Sequence, residues 1–535
     1  MMDGHAGHGH GLARGGIFVE FLDGVGRPSG RSIADTRWPG FGRGGPVSKS
    51  AGGTADAAMR ETSTAADVHN RACRINGVPS VAGCRYLGSW CMPQNFLCPQ
   101  RDQQFLMPVD MREWLPEDDL VFVVLDAVAT MDLDVFRRSY RADGHGRAAF
   151  DPAMMVALLL YGYCQGERSS RVIERLCVRD VGYRVIGGGL HPDHATIARF
   201  RARHQEALGG LFSQVLRLLA GVGMVSLGKL SLDGTKLAGN AAQAASRTLP
   251  QIEGILAEAA KVDAAEDARY GQAAGEATPR TLASRTQRRE RLAKARDRLA
   301  AEDQARRDGQ QAKVAAWEAA AAAGARRGGR PAQEPRTNRN NTPPRANTTD
   351  PDTRVMKNQK GYLAGYNGQA VVTEHQVIVG AMLSQHPVDR TLLHPVLDSC
   401  RQQLTEAGIR AKLRTVLADA GYVSEENFTR AEQQKLRLLA PFAKDPNRHP
   451  NPRPRQRKVP ALPATVRAAR RMRHHRGRAD YKLRGRTVEP VFGQIKTCQK
   501  MTTMSRRGLA ACSSEWLLVC TAHNLRKLHR YLNRT

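Results

Sequence analysis

Hydrophobic residues recur at helical spacing in the region that follows residue 110. An acidic stretch precedes the mostly apolar run that begins at Leu120, which is typical of the first turn of a helix. Asp151-Pro152 places an N-cap before a proline at the first helical position. The predicted helices cover about 120–128, 152–164, 168–178 and 193–204. This pattern predicts an all-helical domain over 105–210.

Short runs in which apolar and polar residues alternate predict strands further along the chain. Leu230 and Leu232 alternate with polar residues before Asp233-Gly234, which predicts a short strand that ends on a carboxylate. A second apolar run, Thr415 to Ala418, ends at Asp419. Further strands are predicted at 368–373, 376–383 and 436–441. Strands and helices in this order indicate an α/β domain with mixed strand order.

A helical pattern interrupts this α/β region. Thr248 and Gln251 form a capping-box pattern, and apolar residues follow them at helical spacing. A second helical stretch covers about 281–322, and 323–355 has the Gly, Pro, Arg and Asn content of a mobile linker. The predicted division is a helical insertion with its linker at 246–355 and an α/β domain at 225–245 and 356–532.

The N-terminal region differs from the rest in composition. Residues 1–104 are rich in Gly, Ser, Ala and Arg without sustained periodicity, which predicts a disordered extension. The longest apolar run, Ala153 to Tyr161, is far shorter than the roughly 20 residues of a membrane helix. No signal peptide is indicated, and the ten cysteines lack zinc spacing. We therefore expect a cytoplasmic protein with reduced thiols and no membrane partner.

The charge balance favours a polyanionic partner. The chain has 81 Lys+Arg against 51 Asp+Glu, a formal net charge of +30, and each phosphate contact strengthens binding by releasing counterions. The basic residues of 444–500 are either phosphate contacts or a basic linker. Several arginines of the helical domain either face phosphates from a helix-turn-helix or form a solvated face. These are Arg171, Arg175, Arg199, Arg201 and Arg203.

Two carboxylates share one local context. Asp233 and Asp419 each follow a short apolar strand and precede a glycine within two residues. Carboxylates on neighbouring strands can converge on one cation, and hard oxygen ligands suit Mg²⁺ or Mn²⁺. A third acid on a helix packed against the sheet would complete a two-metal site, in which one ion activates the attacking oxygen and the other stabilises the leaving oxygen. Taken alone, either aspartate is more often a strand-end turn residue than a metal ligand.

A third segment supplies such an acid. Thr487 is a candidate helix cap, with Glu489 and Pro490 in the first turn. Three apolar residues then recur at helical spacing and are expected to be buried: Val488, Phe492 and Ile495. Glu489 and Lys496 lie seven residues apart and so share a face two turns long. The alternative interpretation is an ordinary amphipathic helix with a basic face.

These motifs resemble those of bacterial insertion-sequence transposases with a DDE catalytic domain. The matching segments are Leu232-Asp233-Gly234-Thr235, Leu417-Ala418-Asp419-Ala420-Gly421-Tyr422, and Tyr481-x2-Arg484 followed by Glu489-x6-Lys496. Supporting segments are Asp350-Pro351-Asp352-Thr353-Arg354 and Tyr366-Asn367-Gly368-Gln369. The helical domain, with His191-Pro192-Asp193-His194, is similar to the domain that precedes such catalytic domains.

The resemblance implies an RNase H-like mixed sheet in which Asp233, Asp419 and Glu489 are catalytic residues that bind two Mg²⁺ or Mn²⁺ ions. It also implies that Tyr481, Arg484 and Lys496 contact DNA, with Arg486 as a competing candidate because Arg484 lies one residue further from Glu489 than is common.

The implied activity is cleavage of phosphodiester bonds at transposon ends and strand transfer into target DNA. Double-stranded DNA and a homodimer are the expected partners, and the nucleoid is the expected location. The alternatives are a non-catalytic DNA-binding protein derived from a transposase, and a nuclease of the same fold that does not join strands.

Overall fold

The computed structural model describes residues 110–140, 148–270, 280–323, 344–358, 361–410, 412–442 and 463–534. The extension predicted at 1–104 lies outside the described residues, as do residues 444–462 of the basic stretch. Within the described ranges no helix is long and apolar enough to cross a membrane.

Helices form the first part of the described chain. They are α1 (Leu120–Ala129), α2 (Asp134–Arg137), α3 (Pro152–Gln165), α4 (Ser170–Arg179), α5 (Val181–Gly187), α6 (His194–Arg203) and α7 (Gln205–Gly221). The predicted helices are confirmed, and Asp151 caps α3 by accepting a hydrogen bond from the Ala153 N–H at 3.2 Å. α3 is the central helix of this layer, because nearly all of its side chains from Met154 to Cys164 are buried.

The helical region extends beyond the predicted end at residue 210. α7 runs on to Gly221, and its apolar residues, including Leu211, Phe212 and Val215, are fully buried. They pack against the last helix of the chain and against a helix that covers the sheet. The helical layer is therefore joined to the α/β part by a shared core, which local sequence patterns do not reveal.

A mixed sheet forms the centre of the α/β part. The strands are β1 (Lys229–Ala238), β2 (Ser246–Thr248), β3 (Arg345–Asn347), β4 (Arg354–Asn358), β5 (Gly361–Thr373), β6 (Ile378–Ser384), β7 (Thr415–Leu417) and β8 (Arg437–Leu439). β5 pairs antiparallel with β1, β4 and β6, while β7 lies parallel to both β1 and β8. β2 and β3 form a separate two-stranded sheet.

The remaining helices lie between and after these strands. They are α8 (Leu249–Tyr270), α9 (Arg280–Ala322), α10 (Leu393–Glu406), α11 (Glu425–Gln433), α12 (Pro463–Arg473), α13 (His475–Thr497) and α14 (Leu509–Leu532). α13 packs against β1 and β5, and α14 packs against β6, α3 and α7. The sheet is thus covered by α10, α13 and α14, and α14 links it to the N-terminal helices.

The first strand does not end at Asp233, as the sequence suggested. β1 continues to Ala238, because the long strand β5 pairs with it antiparallel from Leu230 to Ala238. The parallel partner β7 is much shorter and pairs with β1 only as far as Ser231. Asp233 therefore lies in the middle of a strand but beyond the end of its parallel neighbour.

The insertion between β1 and β5 is a helical hairpin, as predicted. α8 and α9 pack through a small core of their own that includes Ile252, Leu292 and Leu299. The Gln251 side chain accepts a hydrogen bond from the Thr248 N–H at 3.1 Å, which is half of the predicted capping box.

The linker predicted at 323–355 is ordered in its last part. Ala346 in β3 belongs to the hairpin core. Asp350 is buried and accepts hydrogen bonds from the Tyr366 hydroxyl at 2.8 Å and the Gly508 N–H at 3.2 Å. This segment is polar because its side chains bond to β5 and α14, so its composition was misread as that of a linker. Residues 324–343 lie outside the described residues.

Helix α13 begins twelve residues before the predicted cap. Thr487 lies inside it, with its hydroxyl donating to the Leu483 carbonyl at 2.9 Å. Pro490 has no N–H to donate to the Arg486 carbonyl four residues back. The Gln376 side chain supplies that missing donor, with its Nε2 2.9 Å from the Arg486 oxygen. The helix therefore continues through Pro490, because Gln376 in the turn between β5 and β6 donates to the Arg486 carbonyl that Pro490 cannot reach.

Candidate active site

The register between β1 and β7 brings two predicted acids to the same level of the sheet. Ser231 lies opposite Leu417 in the last parallel pair. Asp233 and Asp419 each follow two residues later, so both extend beyond the end of the parallel pairing. The Asp419 side chain accepts a hydrogen bond from its neighbouring Ala420 N–H at 2.7 Å, which begins a short 3₁₀ turn at Ala420–Tyr422.

The third predicted acid is held near the first by an arginine. Arg484 Nη2 lies 2.6 Å from Asp233 Oδ2, and Arg484 Nη1 lies 3.3 Å from Glu489 Oε1. Both Arg484 and Glu489 are on α13. This helix is fixed to β1 by the buried hydroxyls of Ser231 and Thr487, which lie 2.6 Å apart. Arg484 therefore bridges a strand carboxylate and a helix carboxylate.

Burial sets the electrostatics of this cluster. The pKa of Asp233 is raised to about 6, mainly because the carboxylate is desolvated, and this outweighs the opposing effect of Arg484. The charges of Asp419 and Asp389 raise it further. Burial alone would lower the pKa of Arg484, but the charges of Asp233, Tyr481, Asp419 and Glu489 raise it. The site therefore carries an excess of negative charge that a cation would relieve.

The donor atoms suit a divalent metal ion, but their spacing does not yet form a metal site. Three carboxylates supply the oxygen ligands that Mg²⁺ and Mn²⁺ prefer. Across the described ranges, however, no group of three or more His, Cys, Asp or Glu side chains is close enough to hold one ion. The Arg484 guanidinium lies between Asp233 and Glu489. The Glu489 side chain is 60% exposed, whereas the Arg484 side chain is only 11% exposed. Glu489 is therefore more accessible to solvent than the arginine with which it pairs.

A polar network that the sequence did not predict lies beside the acids. Asp389 Oδ1 accepts hydrogen bonds from Lys236 Nζ at 3.0 Å, Asn367 Nδ2 at 2.7 Å and Gln369 Nε2 at 3.0 Å. The buried Tyr422 hydroxyl, from the turn that follows Asp419, donates to Gln369 Oε1. This network joins β1, β5 and the turn after β7. Asn367 and Gln369 belong to the Tyr366-Asn367-Gly368-Gln369 segment that resembles the transposase motifs. The sequence around Asp389 contains no such motif.

Gly234 explains why the strand motif contains a glycine. A Cβ at this position would lie 2.9 Å from Asn367 Oδ1 and closer still to the Gln369 amide. Only a residue without a side chain leaves room for these amides next to Asp233. The glycine therefore belongs to the site and does not terminate the strand.

The structure separates the two arginine candidates. Arg484 contacts the acids, whereas Arg486 is exposed and its carbonyl bonds to Gln376. Tyr481 contributes to the electrostatic environment of Arg484. Lys496 is exposed in the last turn of α13. Arg484 therefore lies at the acids with Tyr481 near its guanidinium, and Arg486 and Lys496 lie on the surface of the same helix.

One arginine of the helical domain is not available to phosphates. Arg201 is 8% exposed, and its Nη1 donates to the Arg168 carbonyl at 2.7 Å. Arg203 lies over the Tyr140 ring at 5.7 Å from its centroid. Arg171, Arg175 and Arg199 are exposed. Arg201 is therefore a structural residue, because its largely buried guanidinium bonds to the backbone of the segment between α3 and α4.

Two family models match this chain, one in the helical region and one in the α/β part. Residues 109–203 match a transposase domain of the DUF772 type, and residues 341–525 match a transposase DDE domain. The chain therefore belongs to the transposases with a DDE domain. The second match includes Asp419 and Glu489 but begins after the strand that carries Asp233. Neither the curated proteins nor the solved structures give a significant match.

Proposed function

We propose that this chain is the DNA transposase of a bacterial insertion sequence, which cleaves phosphodiester bonds at the element's ends and joins them to target DNA. The catalytic domain is RNase H-like in this proposal. Transposase DDE domains generally use divalent metal ions, and we assign Asp233, Asp419 and Glu489 as the residues that hold two Mg²⁺ or Mn²⁺ ions.

One observation carries the proposal most strongly. Asp233 and Glu489 both pair with the Arg484 guanidinium, whose pKa is also raised by the charge of Asp419, and the cluster lies beyond the last parallel pair of β1 and β7. An arginine that serves only to stabilise the fold would not need three acids. The burial that raises the pKa of Asp233 makes this carboxylate costly for folding. Costly charged groups of this kind are concentrated at functional sites.

The chain's own groups are assigned to positioning and charge neutralisation. Bound cations would activate the attacking oxygen and stabilise the leaving one. Arg484 and Tyr481 would contact the phosphate next to the cleaved bond, and Arg486 and Lys496 would contact phosphates along the same helix. The Asp389 network orients the Asn367 and Gln369 amides beside Gly234, the residue that follows Asp233.

Double-stranded DNA, as transposon end and as target, is the proposed partner, and the nucleoid is the proposed place of action. The net charge of +30 supports this partner. We also propose that two copies of the chain act together on DNA. Light scattering of the protein with and without DNA tests that proposal, and a single copy bound per duplex would contradict it.

A magnesium-dependent cleavage assay on the DNA that flanks the gene tests the proposed activity. Asp233→Asn and Glu489→Gln should each lower cleavage at least a hundredfold, because each removes a charged oxygen ligand. Glu426→Gln is the matched control, since Glu426 is exposed on α11. Near-normal cleavage by Glu489→Gln would refute the assignment of this acid.

Assays on the same purified protein distinguish the proposed transposase from two alternative functions. A nuclease without strand transfer would cut but would not join labelled ends to a second duplex. A DNA-binding protein derived from a transposase would bind DNA without metal-dependent cutting. Strand transfer that requires magnesium and Asp233 would exclude both.

A further inference from the structure

A basic pocket lies between α13 and α14, apart from the three acids. Its walls include three cationic side chains from α14 and two residues from the end of α13. The cationic residues are Arg526, Lys527 and Arg530, and the residues from α13 are Gln494 and Cys498. Among the described residues no carboxylate forms an ion pair with any of the three cations.

The position of Lys527 is costly unless an anion is present. Its side chain is half-buried, and burial together with the charges of Arg530 and Arg534 lowers its pKa to about 8. Burial lowers the pKa of the adjacent His523 to about 3, so its imidazole is neutral and adds no charge. Cations near the end of a helix are favoured by its dipole, but the dipole does not explain why three of them surround one pocket.

The pocket is joined to the catalytic helix through the turn between β5 and β6. Lys527 Nζ donates to Gln376 Oε1 at 2.6 Å, and Gln376 Nε2 donates to the Arg486 carbonyl at 2.9 Å. The buried His523 ring donates to the Gln376 carbonyl at 3.0 Å. One residue thus connects the basic pocket to the turn of α13 that lies between Arg484 and Glu489.

Helix geometry gives the spacing between the pocket and the acids. Gln494 and Cys498 follow Arg484 by ten and fourteen residues, which corresponds to roughly 15–21 Å at about 1.5 Å per residue. A B-form duplex rises about 3.4 Å per base pair, so a duplex lying along α13 would place a phosphate at the pocket about four to six base pairs from Arg484.

We propose that the pocket formed by Arg526, Lys527 and Arg530 binds a backbone phosphate of duplex DNA several base pairs from the catalytic acids. This inference rests on the proposed function, because it requires DNA at the acids. Lys527 and Arg530 are the contacting groups. Arg526 is partly engaged, since its guanidinium donates to the Cys164 carbonyl. Gln499 also lines the pocket but uses its amide N–H groups on two carbonyls.

The test measures the affinity of the full chain for a labelled duplex at several salt concentrations. Lys527→Gln and Arg530→Gln should each lower the affinity roughly fivefold to tenfold at about 0.1 M salt, and each should reduce the log–log salt slope by about 1. A glutamine side chain at position 527 can still donate a hydrogen bond to Gln376 Oε1, so the turn between β5 and β6 should be retained. The control removes two exposed charges elsewhere, Arg410→Gln with Lys412→Gln, and should leave the affinity nearly unchanged.

A second arm identifies the source of the phosphate. Inorganic phosphate should raise the thermal midpoint of the wild type but not that of the Lys527→Gln, Arg530→Gln double variant. Stabilisation by phosphate without any change in the DNA salt slope would overturn the assignment to DNA and indicate a site for a free phosphate compound. No effect in either arm would overturn the pocket altogether.

The outcomes separate this inference from the proposed function. If the wild type binds and cleaves DNA while the double variant keeps the wild-type salt slope, only the pocket assignment fails. If the wild type neither binds nor cleaves DNA with magnesium, the proposed function fails together with it.

Discussion

Arg484 and Asp233 form an ion pair with Nη2 2.6 Å from Oδ2, and the same guanidinium reaches Glu489. The guanidinium occupies the space between these two carboxylates, and its positive charge repels a divalent ion there. In our proposal Arg484 therefore moves away from Asp233 when the three acids bind metal ions. Within our proposal, contact with a DNA phosphate gives the guanidinium another anionic partner.

This relationship predicts that Arg484 competes with metal ions in the absence of DNA. Arg484→Gln should bind Mn²⁺ about tenfold more tightly than the wild type, because a positive charge is removed from between the ligands. The same variant should cleave DNA poorly, since a proposed phosphate contact is lost. Calorimetry or electron paramagnetic resonance measures the affinity. Arg486→Gln is the control and should bind Mn²⁺ as the wild type does. Equal affinities for all three proteins would show that Arg484 does not block the site.

The raised pKa of Asp233 predicts a pH dependence of metal binding. With a pKa of about 6, this carboxyl group becomes neutral as the pH falls through 6, and a neutral acid is a poor metal ligand. The Mn²⁺ affinity of the DNA-free protein should therefore fall between pH 7 and pH 5. In Asp233→Asn the step near pH 6 should be missing. A wild-type affinity that stays flat across this range would contradict the assignment of Asp233 as a ligand.

Gly234 provides a test of the network behind the acids. Gly234→Ala should destabilise the protein by about 1–3 kcal/mol, because the new methyl group overlaps the Gln369 amide in a packed region. Cleavage should fall as well, since Asp233 is adjacent. Gly228→Ala is the matched control just before β1, where only Ser226 Oγ lies within 4 Å, at 3.9 Å. Urea unfolding measures the stability of both variants, and the cleavage assay measures their activity. Equal effects of the two substitutions would mean that the network does not constrain the strand.

The passage of α13 through Pro490 predicts an energetic coupling. Gln376→Ala leaves the Arg486 carbonyl without its donor and should cost about 0.5–1.5 kcal/mol. In a Pro490→Ala background the helix supplies its own N–H to that carbonyl, so the cost of Gln376→Ala should be smaller. A double-mutant cycle by urea unfolding measures the difference. Additive effects would show that Gln376 does not replace the missing helical hydrogen bond.

Much of the local structure could be predicted from the sequence, because the signals are local. Asp151-Pro152 begins α3, and Ser424 caps α11 with its hydroxyl accepting from the Asn427 N–H at 3.1 Å. The apolar residues of α13 that were expected to be buried, such as Val488 and Ile495, are fully buried. Helical and strand periodicity depend on neighbouring residues, so they can be read without knowledge of the fold.

The predictions that were wrong concern contacts between distant segments. The start of α13 was placed at Thr487 because Pro490 usually marks a first turn, and the sequence gives no sign that Gln376 satisfies the carbonyl that Pro490 leaves free. The linker ending at 355 was misread for the same reason, since Asp350 is ordered by Tyr366 and Gly508.

The sequence by itself determined that Asp233 and Asp419 accompany short apolar strands and that Glu489 lies on a helix, because the motifs that contain them are short and contiguous. The catalytic role of these three acids stays a prediction. Only the tertiary structure decided that Arg484, and not Arg486, lies between Asp233 and Glu489, and that Asp389 stands behind them. These relationships depend on the β1–β7 register and on the packing of α13 against β1, which bring together residues more than 250 positions apart.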